Sequence, residues 1–241
     1  MSPEVLEVSV IVPAYNESAR LVPTLERIAA YLDEHHPRYE VIVVDDGSTD
    51  DTVPLAEALA DAHPRIRVIA LGKNRGKGAA VRGGVLAAEG EQILFSDADL
   101  ATPIEELAKL RSALADGNDI AIASRAVAGA DIQVRQHPAR ELMGRTFNLM
   151  VRALMVGTIR DTQCGFKLFT RQAAHDLFAR AHIEGFAFDV EILWMARGRY
   201  RVAEVPVTWR HVDESKVSPG GDAARMFRDL VRIRWLHRGG R

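Results

Sequence analysis

A single cysteine, Cys164, in 241 residues leaves no partner for an internal disulfide, so the fold rests on its core, and the count fits a reducing compartment. Aromatic residues make up only 6% of the chain and the formal net charge is −2. With neither a base-stacking platform nor a basic surface, nucleic-acid binding is not expected. Long apolar runs are missing too: the longest, such as Val41-Ile-Val-Val44, have strand length, far below the ~20 residues that span a bilayer. The N-terminus is acidic and runs straight into a strand pattern, so no leader or membrane anchor is expected. What is present, 47% hydrophobic side chains, suffices for one substantial core and is short for two.

The first 125 residues alternate strand and helix patterns, as an open parallel α/β sheet requires. Strands are predicted at 8–13, closed by Pro13, and at 40–44, 66–71, 92–96 and 120–123. Helices are predicted at 21–32, from a Ser48/Asp51 capping box through about 62, at 79–88, and after Thr102 as N-cap with Pro103 at the first helical position. Beyond Ser124-Arg125 a polar stretch, 126–138, precedes a helix at 140–156. That helix is apolar on two faces, so it is either deeply buried or lines a greasy groove. A loop at 161–165, a strand at 166–169, helices at 171–178 and 186–196 and a strand at 202–207 follow. A basic helix at 223–237 ends the pattern, and it either lies in a lipid headgroup plane or packs on the domain.

Asp97 and Asp99 stand one residue apart after the apolar strand at 92–96. Alternation along an extended chain sends both to the same side. Such a pair suits Mg²⁺ or Mn²⁺, which take one or two carboxylates and complete their shell with water and phosphate oxygens. An Asp-x-Asp triplet by itself is more often a cap or a solvated turn. Here, however, unusual polar clusters follow every predicted strand of the first half: Pro13-Ala-Tyr-Asn-Glu17, Asp45-Asp46-Gly47-Ser48, the Gly/Lys turn at 72–78, the acidic pair, and Ser124-Arg125. In an open parallel sheet those ends form the ligand crevice. Gly76-Lys-Gly78 lacks the spacing of a P-loop, and no dinucleotide fingerprint is present.

Val-Pro-Ala-Tyr-Asn-Glu, Val-Val-Asp-Asp-Gly-Ser-Thr-Asp, Asn-Arg-Gly-Lys-Gly-Ala-Ala and Asp-Ala-Asp-Leu, in this order, resemble glycosyltransferase family 2. Downstream, Asp161-Thr-Gln-Cys-Gly-Phe-Lys167, Phe188-Asp-Val-Glu191, Glu204-Val-Pro-Val207 and Ser215-Lys216 are similar to the dolichyl-phosphate β-glucosyltransferase branch and its polyprenyl-phosphate relatives. The resemblance covers 8 to about 218 and implies a GT-A nucleotide-diphospho-sugar fold with a mostly parallel sheet and flanking helices. It implies a catalytic domain over 1–218, with a nucleotide-binding half to about 125 and an acceptor half beyond, and a basic amphipathic helix at 219–241. Position by position it puts Pro13, Tyr15, Glu17 and Asp46 or Asp45 around the nucleoside, Lys77 near the nucleotide, and Asp97 and Asp99 on the metal. Arg125 falls near the donor diphosphate or acceptor phosphate, and Arg140 and Lys216 join it as acceptor-phosphate cations. Asp161 matches a position proposed as base and is expected to orient rather than titrate. Asp189 is assigned to the sugar, although Asp189 and Glu191 read equally well as a helix surface. Ala101 stands where mannosyl relatives carry a metal-assisting Gln, so a poorer metal shell is expected.

The implied reaction is inverting transfer of glucose from UDP-glucose to a polyprenyl or dolichyl phosphate, with Mg²⁺ or Mn²⁺ and peripheral contact at the cytoplasmic face of a membrane. GDP-mannose as donor, a soluble sugar acceptor, a non-catalytic nucleotide-sugar-binding module and a nucleotidyltransferase are the alternatives. The intact acidic pair speaks against a non-catalytic module. The lack of a Gly-rich N-terminal loop speaks against nucleotidyl transfer.

Overall fold

The computed structural model describes residues 5–134, 151, 155, 157–210 and 221–238. Strands β1 (Val8–Ala14) and β2 (Tyr39–Asp45) are buried at every position, because parallel strands covered by helices on both faces need apolar side chains on both. With β3 (Ile66–Ala70), β4 (Gln92–Ser96), β5 (Ile120–Ser124), β7 (Phe166–Thr170) and β8 (Val202–Pro206) they form one sheet, ordered β3-β2-β1-β4-β7-β5-β8. Only β7 runs antiparallel to its neighbours, β4 and β5. A separate pair, β6 (Asp131–Val134) with β9 (Thr208–Arg210), is parallel.

Alternation splits each strand between two cores. Val10, Val12, Val41, Val43 and Leu94 face α1 (Leu21–His35) and α4 (Leu107–Ala115). Ile11, Ile42, Val44 and Phe95 face α3 (Lys77–Ala87), α5 (Arg171–Ala179), α6 (Phe188–Ala196) and α7 (Gly221–Leu236). The stripe Leu21, Leu25, Ile28, Leu32 seats α1, and α2 (Thr52–Ala62) buries Ala56 beside it. No helix among the described residues is long and apolar enough to cross a membrane.

Several boundaries differ from the sequence reading. Pro13 does not end β1: it pairs with Val44 inside the strand, and since β1 meets β4 only as far as Ile11, the missing N–H breaks no ladder. The Ser48/Asp51 capping box does not form; α2 starts at Thr52 with no side-chain cap, and Ser48 Oγ instead accepts the Asn16 N–H at 2.8 Å. Pro103 is extended (φ −59°, ψ 147°) ahead of a short 3₁₀ turn, Ile104–Glu106, rather than inside a helix, and the Thr102 hydroxyl lies 3.6 Å from Cys164 Sγ. The polar stretch at 126–138 contains β6, whose partner lies more than seventy residues on. The helix expected at 140–156 lies largely outside the described residues, as do Arg140 and Lys216.

Candidate active site

A cleft of about 810 Å³ opens at the carboxyl ends of the parallel strands, and a smaller cavity of about 80 Å³ adjoins it. Asp97 and Asp99 line both. The strand stops at Ser96, so they converge through a turn rather than a pleat: the Leu100 N–H donates to Asp97 O at 3.2 Å, and Leu100 takes a left-handed φ of 45°. The Asp97 N–H donates to Gly165 O at 3.0 Å, pinning the turn to the chain entering β7, and Thr24 Oγ1 donates to Ala98 O at 2.8 Å from α1. A Cβ at Gly165 would overlap the Asp97 carboxylate, so a glycine there keeps the acid's space open.

Lys77 Nζ lies 2.6 Å from Asp97 Oδ1. Burial opposes its ammonium, but Asp97, Asp189 and Asp99 outweigh burial and hold its pKa above the ordinary lysine value. Burial, then the neighbouring Asp97 charge, push the Asp99 carboxyl above the usual range, although Asp99 Oδ1 accepts the Ala101 N–H at 3.0 Å. Two carboxylates, with no third His, Cys, Asp or Glu joining them among the described residues, fit a hard Mg²⁺ or Mn²⁺ ion that takes its other oxygens from phosphate and water. They do not make an all-protein cage.

Pro13, Tyr15, Glu17, Asp46 and Lys77 are brought together in the lining of the large cleft. Asp46 accepts the N–H groups of Arg75 and Gly76 at 2.8 and 2.7 Å, fixing the turn before α3, while burial pushes its carboxyl up. Gly76 is needed there: its φ is +114° and a Cβ would meet Glu184 O at 2.5 Å. Asp45 is not in the cleft lining; its carboxylate accepts the N–H groups of Gly47 and Ser48 within its own turn. Asn16 joins the first two loops, accepting the Thr49 N–H at 2.8 Å.

Arg125 lines the small cavity with Gln163, Gly165 and Trp209. Its Nε and Nη2 donate to Asp161 Oδ2 and Oδ1 at 2.7 and 2.9 Å, and its guanidinium lies 5.3 Å from the Trp209 ring centre. Burial would raise the Asp161 carboxyl, but Arg125 outweighs it and holds Asp161 below the usual carboxylate range. Glu204, to which the sequence by itself gives no role, carries this unit: Glu204 Oε1 accepts from the Asp161 N–H at 3.0 Å and from Ser124 Oγ at 2.9 Å.

Asp189 and Glu191 are not on a helix surface; both are buried. Asp189 Oδ1 accepts from the buried Lys167 ammonium at 2.6 Å, and Asp189 is not in the cleft lining. Burial pushes the Asp189 carboxyl up, with Lys167 and Lys77 pulling it back. Glu191 Oε2 accepts the N–H groups of His182 and Ile183 at 2.9 and 2.7 Å, and Oε1 lies 2.8 Å from His237 Nε2. It thereby ties α7 to the loop at 182–186, and both form the far wall of the cleft. The available signal was that α6 is apolar all round, so acids on it had to be buried and paired.

Known proteins agree with this architecture. The glucosyl-3-phosphoglycerate synthase of Mycobacterium tuberculosis superposes with a TM-score of 0.71 at 22% identity, over 95% of this chain and 80% of that one. The same enzyme solved with Mn²⁺ and UDP-glucose gives 0.68 at 22% identity, over 95% and 77%. The fold is the GT-A fold of nucleotide-diphospho-sugar transferases. Among sequence relatives, a dolichyl-phosphate β-glucosyltransferase of Drosophila melanogaster is 43% identical over 96% of this chain and 75% of its own length. One of Homo sapiens is 42% identical over 95% and 76%. The model of Glycosyl transferase family 2 matches residues 9–178, and the chain belongs to that family of glycosyltransferases.

Proposed function

We propose that the protein transfers glucose from UDP-glucose to a polyprenyl or dolichyl phosphate, giving a β-linked lipid-phosphate-glucose. The relatives' named activity supports the sugar and the acceptor class. The observation that carries the acceptor is the state of Asp161: clamped in a bidentate pair with Arg125 and held below the usual carboxylate range, it is a poor general base. A hydroxyl acceptor needs a base. A phosphate monoester, with a second pKa near ~6, arrives largely as a dianion and needs none. One acceptor oxygen bonds to the anomeric carbon as the bond from that carbon to UDP breaks; the electron pair leaves with UDP, and in-line attack inverts an α-linked donor to a β-linked product.

Asp97 and Asp99 would hold the divalent ion, which when bound supplies Lewis-acid neutralisation of the leaving diphosphate. Lys77 adds an ammonium beside that charge, and Arg125 brings a guanidinium to the small cavity on the other side of the pair. Purified protein with Mn²⁺, a nucleotide-sugar panel and a short polyprenyl phosphate should release UDP from UDP-glucose only when acceptor is present. Asp99→Ala should lower that rate about 10²–10³-fold. Full activity in that variant, or no acceptor-dependent release from any donor, would refute the reading.

We further infer that the protein works at the cytoplasmic face of a membrane, against which α7 lies. Three of the six exposed large apolar side chains among the described residues are Phe227, Val231 and Trp235 at 49, 60 and 64% exposure. Spaced i, i+4, i+8, they form one outward stripe with Arg234 and Arg238 beside it, the chemistry of an anionic lipid surface. The Phe227→Ser/Val231→Ser/Trp235→Ser variant should lose co-sedimentation with phosphatidylglycerol-containing vesicles yet keep UDP binding. Undiminished sedimentation would remove the membrane role.

A further inference from the structure

Helix α7 has three faces. Leu230 and Ile233 are buried in the core, and Phe227, Val231 and Trp235 point outward. Between these faces lie Arg228 and Arg232, one helical turn apart, and both line the large cleft across from the loops that carry Asp46, Lys77 and the acidic pair.

The other cations of the cleft are differently engaged. Arg20 is paired with Glu17, Arg75 with Glu184, and Lys77 with Asp97, and Arg225, which also lines the cleft from α7, is engaged as well. Arg228 and Arg232 make no hydrogen bond or ion pair with any described residue. The nearest acid on their own helix, Asp229, feels the charge of both arginines but forms no ion pair with either, and burial pushes its carboxyl up. The helix that carries them is fixed by its core face and by the contact of His237 Nε2 with the fully buried Glu191. Two guanidinium groups are therefore held at a cleft mouth with no hydrogen-bond acceptor among the described residues.

We infer that Arg228 and Arg232 form a phosphate-binding pair at the mouth of the cleft. Guanidinium groups match phosphate oxygens in charge and fork geometry. Two sources of phosphate reach this position, the donor diphosphate and the acceptor monophosphate. The pair borders the outward apolar stripe of the same helix, which favours the acceptor: a lipid phosphate entering from a membrane surface would pass these arginines first. This choice of acceptor rests on the function proposed above; the phosphate chemistry does not.

The test uses the full chain, with Arg228→Gln, Arg232→Gln, the double variant and the double Arg→Lys variant. Binding of inorganic phosphate and of UDP with Mn²⁺ is measured by calorimetry, and steady-state kinetics are measured with a short polyprenyl phosphate at low and high salt. We expect the acceptor KM to rise about tenfold per arginine with kcat within about twofold, partial rescue by lysine, and a smaller effect at high salt. A loss of UDP affinity with unchanged acceptor KM assigns the pair to the donor diphosphate and leaves it a phosphate site. If the double variant matches the wild type in acceptor KM, UDP affinity and phosphate affinity, or if the wild type binds none of these phosphates, the inference falls. If the wild type transfers no glucose but binds phosphate more tightly than the double variant, the proposed reaction fails and the phosphate pair stands.

Discussion

Two ammonium groups approach the ring of Phe95: Lys77 Nζ at 5.3 Å and Lys167 Nζ at 5.4 Å from its centre. One faces the cleft. The other is 1% exposed and spends its donors on Cys164 O and Asp189 Oδ1, both at 2.6 Å. Cys164 shares that interior, where burial pushes its thiol up to about 11, so it stays protonated and inert at neutral pH. A buried ion pair contributes little net stability over an apolar pair of the same shape, yet losing one partner strands a charge at a cost of about 3–5 kcal/mol. Lys167→Met should therefore lower stability in urea unfolding by about 3–5 kcal/mol, and adding Asp189→Leu should recover most of that loss. If the double variant is no more stable than the single one, the stranded carboxylate is not the cause. Lys77→Met should behave differently, because the cleft lets water and a bound cation reach Asp97: the loss should appear in donor binding more than in unfolding.

At the scale of elements, what the sequence made legible and what it hid divide along a physical line. Strands β1, β2 and β4 were legible because burial on both faces forces unbroken apolar runs, and the polar clusters after them named most of the cleft in advance. Hidden features depend on partners far away in the chain. Ser48 looks like a helix cap locally, but its hydroxyl is claimed by Asn16, and β6 is a polar segment whose partner β9, with Arg210 Nε donating to Gln133 Oε1 at 2.5 Å, lies far along the chain. Glu191 was the costliest miss, since nothing in Phe188-Asp-Val-Glu191 says that its carboxylate will accept two N–H groups of the 182–186 loop and meet His237. It is the joint between α7 and the domain. Glu191→Gln replaces one acceptor oxygen with an amide donor facing donors, at a cost of about 1–3 kcal/mol. Since about 1.4 kcal/mol is tenfold in an equilibrium, α7, with its four arginines, should be nicked by trypsin about tenfold faster or more in that variant. Cleavage at the wild-type rate would mean that Leu230 and Ile233 hold the helix alone.

On the scale of the whole molecule, the cleft is built from both halves of the chain. The loops after β1, β2, β3 and β4 form one wall, while 182–186 and α7 form the other. A ligand that touches both walls stabilises the native state as a whole, because the unfolded chain offers it no site. UDP with Mn²⁺ at a hundredfold excess over its dissociation constant adds about 2.7 kcal/mol. For a domain of this size that corresponds to a rise in Tm of about 5–10 °C. Asp99→Ala should abolish the part of the rise that requires metal and keep the part due to the nucleoside. The same ligand should also slow tryptic cleavage of α7, since opening the helix would break the ligand's contacts with the wall that α7 helps to form. These two readouts separate two architectures. If UDP and Mn²⁺ raise Tm but leave α7 as cleavable as before, the nucleotide sits against the strand-end wall alone and the helix serves only the acceptor. If both change together, α7 closes over the donor as well, and the reaction is assembled between the two walls.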